Sequence, residues 1–562
     1  MTEWILTFET NLCGLAEELC NQAQKVLTGQ GALTVRCESA PSDPLSQKAR
    51  REAKAGQVVC LREGDRVAIH AETDILLWRG LHCLIADEKI LNDGLQTMDF
   101  GETSADGWML PVPLYADGCR DEIFYNCSGG LKPDGQLSWM HVMRETTAEA
   151  FRAYVNSLKA LGYTAECENA IDGNLFFGFS DRLGAKFYTY YRCRLGEDRG
   201  DVRLIHDRNS TATLKELCYE TEGSENSEFF MFNFNTGGED TFLIRAADNS
   251  WIVIDGGVTR SGNIDPEGLF GTSMYEFMRR KSGLSEDEKL VISCWYMTHA
   301  HRDHFLAFHA MIDNCHDRID LQRVVFNAPE PEVATHDVSQ VEAFRACKRS
   351  INAYYPDVAY LKVHPGMKLR FADVEFQVLY TLDDLTDFWI SKHDIYYKVW
   401  CTCFALPVGD PNKTVYRDWH KNYNFNNSST ISLISVNGLR VLALGDAFRG
   451  DTWLLPYYSS ETLHADAIKI EHHFIDFSLI PYYRECISTG EPLFAFVPRV
   501  KREDYQTFAD KRFSPDEFDA SKGQIFQFGR LETIFGLQKK DGKVLKNEYD
   551  ALFSFEGGIN KL

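Results

Sequence analysis

Apolar positions along the first 130 residues alternate between the spacing of strands and that of helices. Short apolar runs predict strands at residues 3–9, 33–37, 58–61 and 66–70, and helical spacing predicts helices at residues 12–27 and 73–87. The stretch between the second and third of these strands is rich in Ser, Pro, Lys and Arg, which predicts a loop. Residues 1–130 are therefore expected to form a small N-terminal α/β module.

A second pattern begins near residue 138. Residues 146–161 have the apolar spacing of an amphipathic helix that ends at Gly162, and strand patterns follow at residues 164–167, 175–179, 186–193 and 202–205. Seven aromatic residues between 176 and 191 favour a sheet face that packs in a core, and stacking on sugars or bases is the alternative. Residues 138–220 are expected to be a small α+β module, followed by a polar linker at 221–228.

Residues 226–540 contain longer apolar runs and predict a larger α/β domain. Residues 383–425 show no regular period and predict an irregular insertion of the kind that often serves as a lid. The predicted strands are residues 229–234, 241–246, 251–254, 291–297, 323–327, 367–369, 374–380, 431–436 and 440–444. The predicted helices are residues 305–312, 339–354 and 453–464.

Charge narrows the range of partners. The chain has 562 residues, with 59 Lys and Arg against 82 Asp and Glu, and its formal net charge is −23. This charge opposes broad capture of nucleic acid or of an anionic membrane, and leaves nucleic-acid binding to a local basic groove. The sequence shows neither an 18-residue apolar run nor a signal-like N-terminus, and its cysteines form no zinc-ribbon or disulfide pattern. We expect a cytoplasmic protein without a membrane span, in an oligomeric state that the sequence leaves open.

Three imidazoles and a carboxylate follow the predicted strand at 291–297 within six residues. His299 and His301 point the same way in an extended segment, because strand side chains alternate with a period of two. Once the chain turns, Asp303 and His304 can reach a second position close by. Nitrogen and carboxylate ligands suit zinc, manganese or iron, so this segment predicts a metal site.

Two later segments also end in side chains that can ligate a metal. Asp446 follows a glycine at the end of a predicted strand, where its two oxygens could serve two cations; an ordinary turn residue is the alternative. A short predicted strand at 465–470 leads to His472 and His473, of which we favour His472 as the ligand. Earlier in the chain, Asp255 begins an Asp-Gly-Gly turn and could hold nearby backbone or a ligand histidine.

Taken together, these motifs resemble the metallo-β-lactamase fold superfamily over residues 229–535. Residues 298–304 match its T-H-x-H-x-D-H motif, and the Asp-Gly-Gly turn, the Gly-Asp pair and the His-His pair occur in the family's order. The resemblance implies an α/β fold with a metallo-β-lactamase-like αββα sandwich, preceded here by the two small modules.

One branch of that superfamily resembles this sequence more than the others do. The segment Asn426-Asn427-Ser428-Ser429 before a strand pair, and Lys469 followed by the His-His pair, resemble the hydrolase domain of competence-type DNA-uptake proteins and related phosphodiesterases. Phe474 stands where that branch usually has glycine.

The resemblance also implies roles for the residues. His299 and His301 would bind one metal, Asp303 and His304 a second, Asp446 would span both, and His472 would complete the second. Asp303 and Asp446 would act in catalysis. Lactamase-like relatives place a further metal histidine before the strand pair, where this chain has Asn426 and, upstream, His420. We expect His420, Asn426 and His473 to orient a substrate oxygen. Alternatively, His420 or Asn426 fills the missing ligand position.

The expected activity is hydrolysis by a hydroxide that two divalent metal ions activate. Zinc is the expected metal, and manganese and iron are the alternatives. The expected substrate is a small molecule or another phosphate ester or phosphodiester, because the more similar branch of the superfamily includes phosphodiesterases. Two other functions stay open: a di-iron oxidoreductase on the same fold, and a non-catalytic, metal-stabilised binding or defence protein. Redox relatives carry a Glu in place of one histidine and a flavin module, neither of which is evident in this sequence.

Overall fold

The structure is a computed structural model. It describes residues 2–7, 33–38, 43–54, 57–64, 66–71, 94–99, 115, 117–120, 124–126, 130–132, 138–160, 163–180, 186–207, 209–232, 240–257, 269–329, 338–392, 425–447, 450–470, 472, 494–497, 525–528 and 533–550. Among these residues, no helix combines the length and the apolar character that crossing a membrane requires.

The first half of the chain contains strands β1 (Thr2–Thr7), β2 (Leu33–Glu38), β3 (Gln57–Glu63), β4 (Arg66–Ala71), β5 (Gly94–Asp99), β6 (Cys119–Arg120), β7 (Phe124–Asn126), β8 (Ser138–Thr146), β9 (Thr164–Ile171), β10 (Asn174–Ser180), β11 (Lys186–Arg192), β12 (Gly200–Asp207), β13 (Tyr219–Glu220), β14 (Glu228–Met231), β15 (Thr241–Arg245) and β16 (Trp251–Asp255). Its helices are α1 (Pro44–Glu52), α2 (Ala148–Ala160), α3 (Leu214–Leu217) and α4 (Leu269–Lys281).

The second half contains strands β17 (Leu290–Tyr296), β18 (Ile319–Leu321), β19 (Arg323–Val325), β20 (Ala359–Leu361), β21 (Lys368–Ala372), β22 (Val374–Tyr380), β23 (Ile431–Val436), β24 (Leu439–Ala443), β25 (Ala467–Lys469), β26 (Phe494–Val497), β27 (Ile525–Phe528), β28 (Thr533–Lys540) and β29 (Lys543–Asp550). Its helices are α5 (Leu306–Cys315), α6 (Val338–Tyr354), α7 (Leu382–Lys392), α8 (Gly450–Trp453) and α9 (Ser460–Leu463), and short 3₁₀ turns occur at Arg302–His304, His316–Arg318 and Phe425–Ser428.

The chain divides into two compact units. One consists of residues 1–117, 121–125 and 389–419, and the other of residues 118–120, 126–388 and 420–562. In the first unit the strands are ordered β2-β1-β4-β3-β5, and α1 packs through Leu45 and Ala49 on β3 and β4. The domain boundaries near residues 130, 138, 220 and 226 stay predictions.

Helix α1 occupies the stretch that the sequence predicted as a loop, so that prediction is wrong for residues 44–52. Asp43 accepts a hydrogen bond from the backbone N–H of Ser46, and Pro44 begins the helix, which is a favourable first position for proline. The predicted helices at 12–27 and 73–87 lie outside the described residues.

In the second unit, one antiparallel sheet has the strand order β6-β8-β12-β11-β10-β9. The seven aromatic side chains of β10 and β11 are all buried, which confirms that this stripe packs in a core. Phe151 of α2 lies against Phe177, and Gly366 leaves space for the ring of Phe176. The stripe therefore joins this sheet to α2 and to the remainder of the unit.

Two larger sheets face each other in the same unit. Their strand orders are β20-β19-β17-β16-β15-β14-β28-β29 and β13-β21-β22-β23-β24-β25-β26-β27. The rings of Tyr296 and Phe376 lie 4.7 Å apart and those of Phe229 and Phe496 lie 5.9 Å apart, and each pair joins one sheet to the other. Helices α4, α5 and α6 contribute to the core that covers the first of these sheets. The described chain is thus a mixed α/β protein with several sheets.

Two further sequence predictions are wrong. Residues 383–392 belong to α7 rather than to an irregular insertion, and residues 393–424 lie outside the described residues. The acidic first turn of α7, with Asp383 and Asp384, suits the positive end of a helix dipole but resembles a loop in sequence. The single helix predicted at 453–464 is instead two short helices, because Pro456 lies between them and Ser459 caps the second.

Candidate metal centre

Four strand ends bring the candidate ligands together. Strands β16 and β17 run parallel in one sheet, and β24 and β25 run parallel in the facing sheet. Their carboxyl ends lead to Asp255, His299, Asp446 and His472 respectively. The four segments that the sequence analysis singled out therefore meet at a single edge between the two sheets.

Ligand atoms of five residues converge at this edge. His299 Nε2 lies 3.1 Å from His301 Nδ1, and Asp446 Oδ2 lies 3.2 Å from His304 Nε2 and 3.8 Å from His472 Nε2. Ligand atoms of His299, His304 and Asp446 all lie within 4.8 Å of one another. Four imidazoles and one carboxylate oxygen are a donor set that fits zinc, manganese or iron.

The centre has a buried side and an open side. His299, His304 and Asp446 are 0 to 1% exposed, whereas His301, Asp303 and His472 are partly exposed. The negative charge of the Asp303 carboxylate acts on both His299 and His301. A molecule from solution would reach the centre from the side of these three partly exposed residues.

Asp255 orients two of the histidines. Its carboxylate accepts hydrogen bonds from the backbone N–H of Thr298 at 2.6 Å, from the Thr298 hydroxyl at 2.8 Å and from His304 Nδ1 at 2.8 Å. The Thr298 hydroxyl also lies 3.2 Å from His299 Nδ1. These contacts place the Nδ1 protons away from the centre and direct both Nε2 atoms into it, as the outer partners of metal histidines do.

The backbone around these residues is close-packed and strained. Asp255 and His472 have positive φ angles of 60° and 37°, which non-glycine residues adopt at a cost. Gly445 has φ of +53°, and a Cβ atom there would lie 2.8 Å from the Ser429 side chain and 3.2 Å from that of Thr298. Only glycine lets the loop that carries Asp446 approach both sheets so closely.

Two charged residues to which the sequence analysis assigned no role, Asp240 and Lys469, complete the centre. The ammonium group of Lys469 donates to Asp446 Oδ1 at 2.9 Å, to the Gly445 carbonyl, and forms an ion pair with Asp240. Asp446 Oδ1 thus contacts the ammonium and Oδ2 faces His304 and His472, and the role of Asp446 in spanning two cations stays a prediction. A second group that could hold an ion, Asp240 with Asp255 and His304, borders the Lys469 ammonium.

Burial and charge set the protonation of the histidines. Burial and the neighbouring imidazoles lower the pKa of His299 well below its ordinary value, and burial also lowers the pKa of His301. Burial alone would lower the pKa of His304, but the carboxylates of Asp446 and Asp255 outweigh it and raise that pKa. Burial would likewise lower the pKa of Lys469, and Asp240 and Asp446 raise it instead, so its ammonium stays charged.

Asn426 lies beside two of the predicted metal ligands. Its Nδ2 atom is 3.0 Å from His472 Nε2, and its side chain also hydrogen-bonds to His301. An amide at this position contacts ligands of both predicted metals. His420 and His473 lie outside the described residues, so their predicted roles stay predictions.

Comparison of the sequence with protein-family models and with curated proteins found no match. Comparison of the fold with solved structures found weak neighbours. One is a protein of unknown function from Enterococcus faecalis V583, with a TM-score of 0.24 and 9% identity, covering 54% of this chain and 87% of that one. Another is CmlA, a diiron beta-hydroxylase from Streptomyces venezuelae, with a TM-score of 0.27 and 11% identity, covering 63% of this chain and 69% of that one. Similarities this low assign neither a fold family nor an activity.

Proposed function

We propose that this chain is a metal-dependent hydrolase of the metallo-β-lactamase superfamily, with an αββα arrangement around its two facing sheets, that cleaves a phosphate ester or phosphodiester. The observation that carries the proposal is the convergence of the His299, His304 and His472 imidazoles on the Asp446 carboxylate, with His301 in contact with His299. Proteins assemble such a donor set, with its histidines held by outer hydrogen bonds, to bind a transition metal.

The charges at the centre support two divalent ions, which the sequence predicted. Three buried carboxylates, those of Asp240, Asp255 and Asp446, and the partly exposed carboxylate of Asp303 stand against the ammonium of Lys469 and the His304 imidazole. Buried carboxylates in such excess are costly unless cations balance them. When bound, divalent ions would polarise a phosphoryl oxygen and lower the pKa of coordinated water.

The residues of the chain would divide the remaining work. Neutral His299 and His301 would bind a metal without first losing a proton, and Asp255 would keep His304 oriented through its Nδ1 proton. Asp303, on the open side, is the candidate to accept a proton, and the Asn426 amide is the candidate to orient a substrate oxygen.

Hydrolysis of bis(p-nitrophenyl) phosphate tests the proposal. The protein is depleted of metal, its turnover is measured, and zinc, manganese or iron is then restored while the bound metal is counted. We expect turnover to vanish on depletion and to return with zinc or manganese. Turnover that does not depend on metal, or a protein that binds no metal, would contradict the proposal.

A di-iron oxidoreductase is the second candidate, because imidazole and carboxylate ligands suit iron as well as zinc. The same reconstituted samples distinguish the two functions. Iron binding with oxygen consumption and without ester hydrolysis would favour oxidation. Metal binding without either reaction would favour the non-catalytic, metal-stabilised binding protein.

A further inference from the structure

Lys469 is a lysine buried at the end of β25. Its side chain is 2% exposed, and the two carboxylates that it contacts, Asp240 and Asp446, are each 1% exposed. Lysine is almost never buried this completely unless it is paired, so the ammonium group needs an explanation. Its Nζ atom accounts for three contacts, to Asp240, to Asp446 Oδ1 and to the Gly445 carbonyl.

The contact with Asp446 divides that carboxylate between two kinds of partner. Oδ1 lies 2.9 Å from the ammonium, and Oδ2 lies 3.2 Å from His304 Nε2 and 3.8 Å from His472 Nε2. Any metal held by Oδ2 therefore shares its carboxylate with a fixed positive charge. At such separations in a buried site, the repulsion between two cations is substantial.

The other candidate ion site depends on the same ammonium. Asp240 forms an ion pair with Lys469, and Asp255 uses its oxygens for Thr298 and His304. His304 presents its Nδ1 atom to this side, where it bonds to Asp255, and its Nε2 atom to Asp446. On the Asp240 side, the positive charge that balances the carboxylates is thus supplied by Lys469.

We propose that Lys469 is a built-in counter-ion of the metal centre: it neutralises Asp240 and one oxygen of Asp446, confines the metal to the side of the imidazoles, and weakens metal binding to a level from which the ion can exchange. This inference rests on the proposed function, because it requires that the imidazoles bind a metal. Lys469 acts through Asp446 and is a positioning residue, without contact to substrate.

Two opposite effects follow from the proposal. Removing the ammonium takes a positive partner away from two buried carboxylates, those of Asp240 and Asp446, which destabilises the metal-free protein. The same change removes a repelling charge, so a divalent ion binds more tightly and restores more stability than it does in the wild type. A lysine that only fills space would produce neither the gain in affinity nor its reversal by a second substitution.

The experiment compares four proteins: wild type, Lys469→Met, the double variant Lys469→Met with Asp240→Asn, and the control Lys539→Met. Lys539 forms a partly buried ion pair with Asp466 away from the imidazoles. The zinc dissociation constant is measured by competition with a chelator, and the melting temperature of the metal-free protein is measured in parallel. We expect Lys469→Met to bind zinc on the order of tenfold more tightly and to melt lower without metal.

The double variant replaces the charged pair by a neutral one of similar shape, so its zinc affinity is expected to return to within about threefold of the wild-type value. The Lys539→Met control is expected to bind zinc as the wild type does. Unchanged or weaker zinc binding by Lys469→Met would overturn the inference, as would a double variant that binds as tightly as Lys469→Met.

A separate variant covers the case in which Lys469→Met does not fold. Asp240→Asn keeps the ammonium and removes one of its partners, so the inference predicts weaker zinc binding than in the wild type, and unchanged binding would overturn it. Failure of the proposed function has a different signature. In that case wild-type protein itself binds no zinc, whereas failure of this inference leaves wild-type binding intact.

Discussion

Two clusters of buried charge in the same unit differ in how their charges are balanced. The arginine cluster joins the β8–β12 sheet to α7 and consists of Arg144, Arg192, Arg203, Asp384 and Asp387. Arg192 contacts Asp384 at 2.5 Å, Arg144 contacts Asp387 at 2.5 Å, and Arg203 also pairs with Asp387. Each carboxylate in this cluster has a guanidinium partner.

The metal-centre cluster, which consists of Asp240, Asp255, His304, Asp446 and Lys469, has the opposite balance. Three carboxylates there share one ammonium, and the imidazole of His304 lies between two of them. Apart from Arg144, whose side chain is 19% exposed, both clusters are nearly inaccessible to water, so burial does not distinguish them. We propose that the difference lies in what completes the charge: the chain itself in the first cluster, and a divalent ion in the second.

The largest expected effect comes from removing a ligand of the metal-centre cluster. Asp446→Ala and His301→Ala should each reduce ester turnover on the order of a thousandfold or more. Residues that act together as a unit lose nearly the whole rate enhancement when one of them is removed. The folded state should persist, because the two facing sheets keep their aromatic contacts. Steady-state kinetics and circular dichroism on the same samples measure both, and near-wild-type turnover would contradict the assignment.

Breaking the arginine cluster should affect stability instead of chemistry. Asp387→Ala leaves Arg203 and Arg144 without their buried partner, which should lower the free energy of unfolding by about 3 to 5 kcal/mol. Denaturant unfolding measures the loss, and metal content per folded molecule should not change. The control Asp201→Ala removes a more exposed partner of Arg144 and should cost about 1 kcal/mol or less. Equal losses in the two variants would remove the distinction between the clusters.

Substitution of an outer partner in the metal centre should have a smaller effect. Asp255→Asn keeps the shape of the side chain but weakens its hold on His304 Nδ1, so metal affinity should fall about 10- to 100-fold. Competition with a chelator measures this fall. Asp248→Asn, in a surface turn where Asp248 accepts hydrogen bonds from Ser250, is the matched control and should bind metal as the wild type does.

The smallest effect concerns acid stability. Burial would raise the pKa of Asp387, but Arg203 and Arg144 outweigh it and hold the pKa below its ordinary value of 3.8. Stability from this carboxylate is thus complete above pH 3.8 and is lost as the pH falls towards the lower pKa of the folded state. In urea unfolding, the gap between wild type and Asp387→Asn should stay constant from pH 7 to about 5 and narrow below about 3.8. A gap that widens in acid would contradict the pairing.

Local pattern predicted the parts of the centre that lie within one segment. The apolar run of β17 followed by His299, His301 and His304 gives both a strand and ligands at its end, and the Asn437-Gly438 turn predicts the hairpin of β23 and β24. The Asp-Gly-Gly turn at Asp255 holds both the backbone and a histidine, as its position suggested.

Other features depend on contacts between distant segments, which a local pattern does not contain. Asp240 and Lys469 are 229 positions apart, since 469 − 240 = 229, and nothing near either residue indicates that their charges meet. Helix α7 appeared irregular because its acidic first turn resembles a loop. Asp384 and Asp387 of this helix pair with Arg192 of β11 and Arg203 of β12, more than 180 residues earlier in the chain.

Anomalous diffraction from crystals of zinc-loaded protein tests the central claim most directly. If the imidazoles and Asp446 Oδ2 form a metal centre, a zinc peak should lie about 2.0 to 2.2 Å from the His299 and His301 ligand nitrogens or from His304 Nε2 and Asp446 Oδ2. Zinc-loaded crystals with no anomalous peak among these atoms, or with the peak between Asp240 and Asp255, would contradict it.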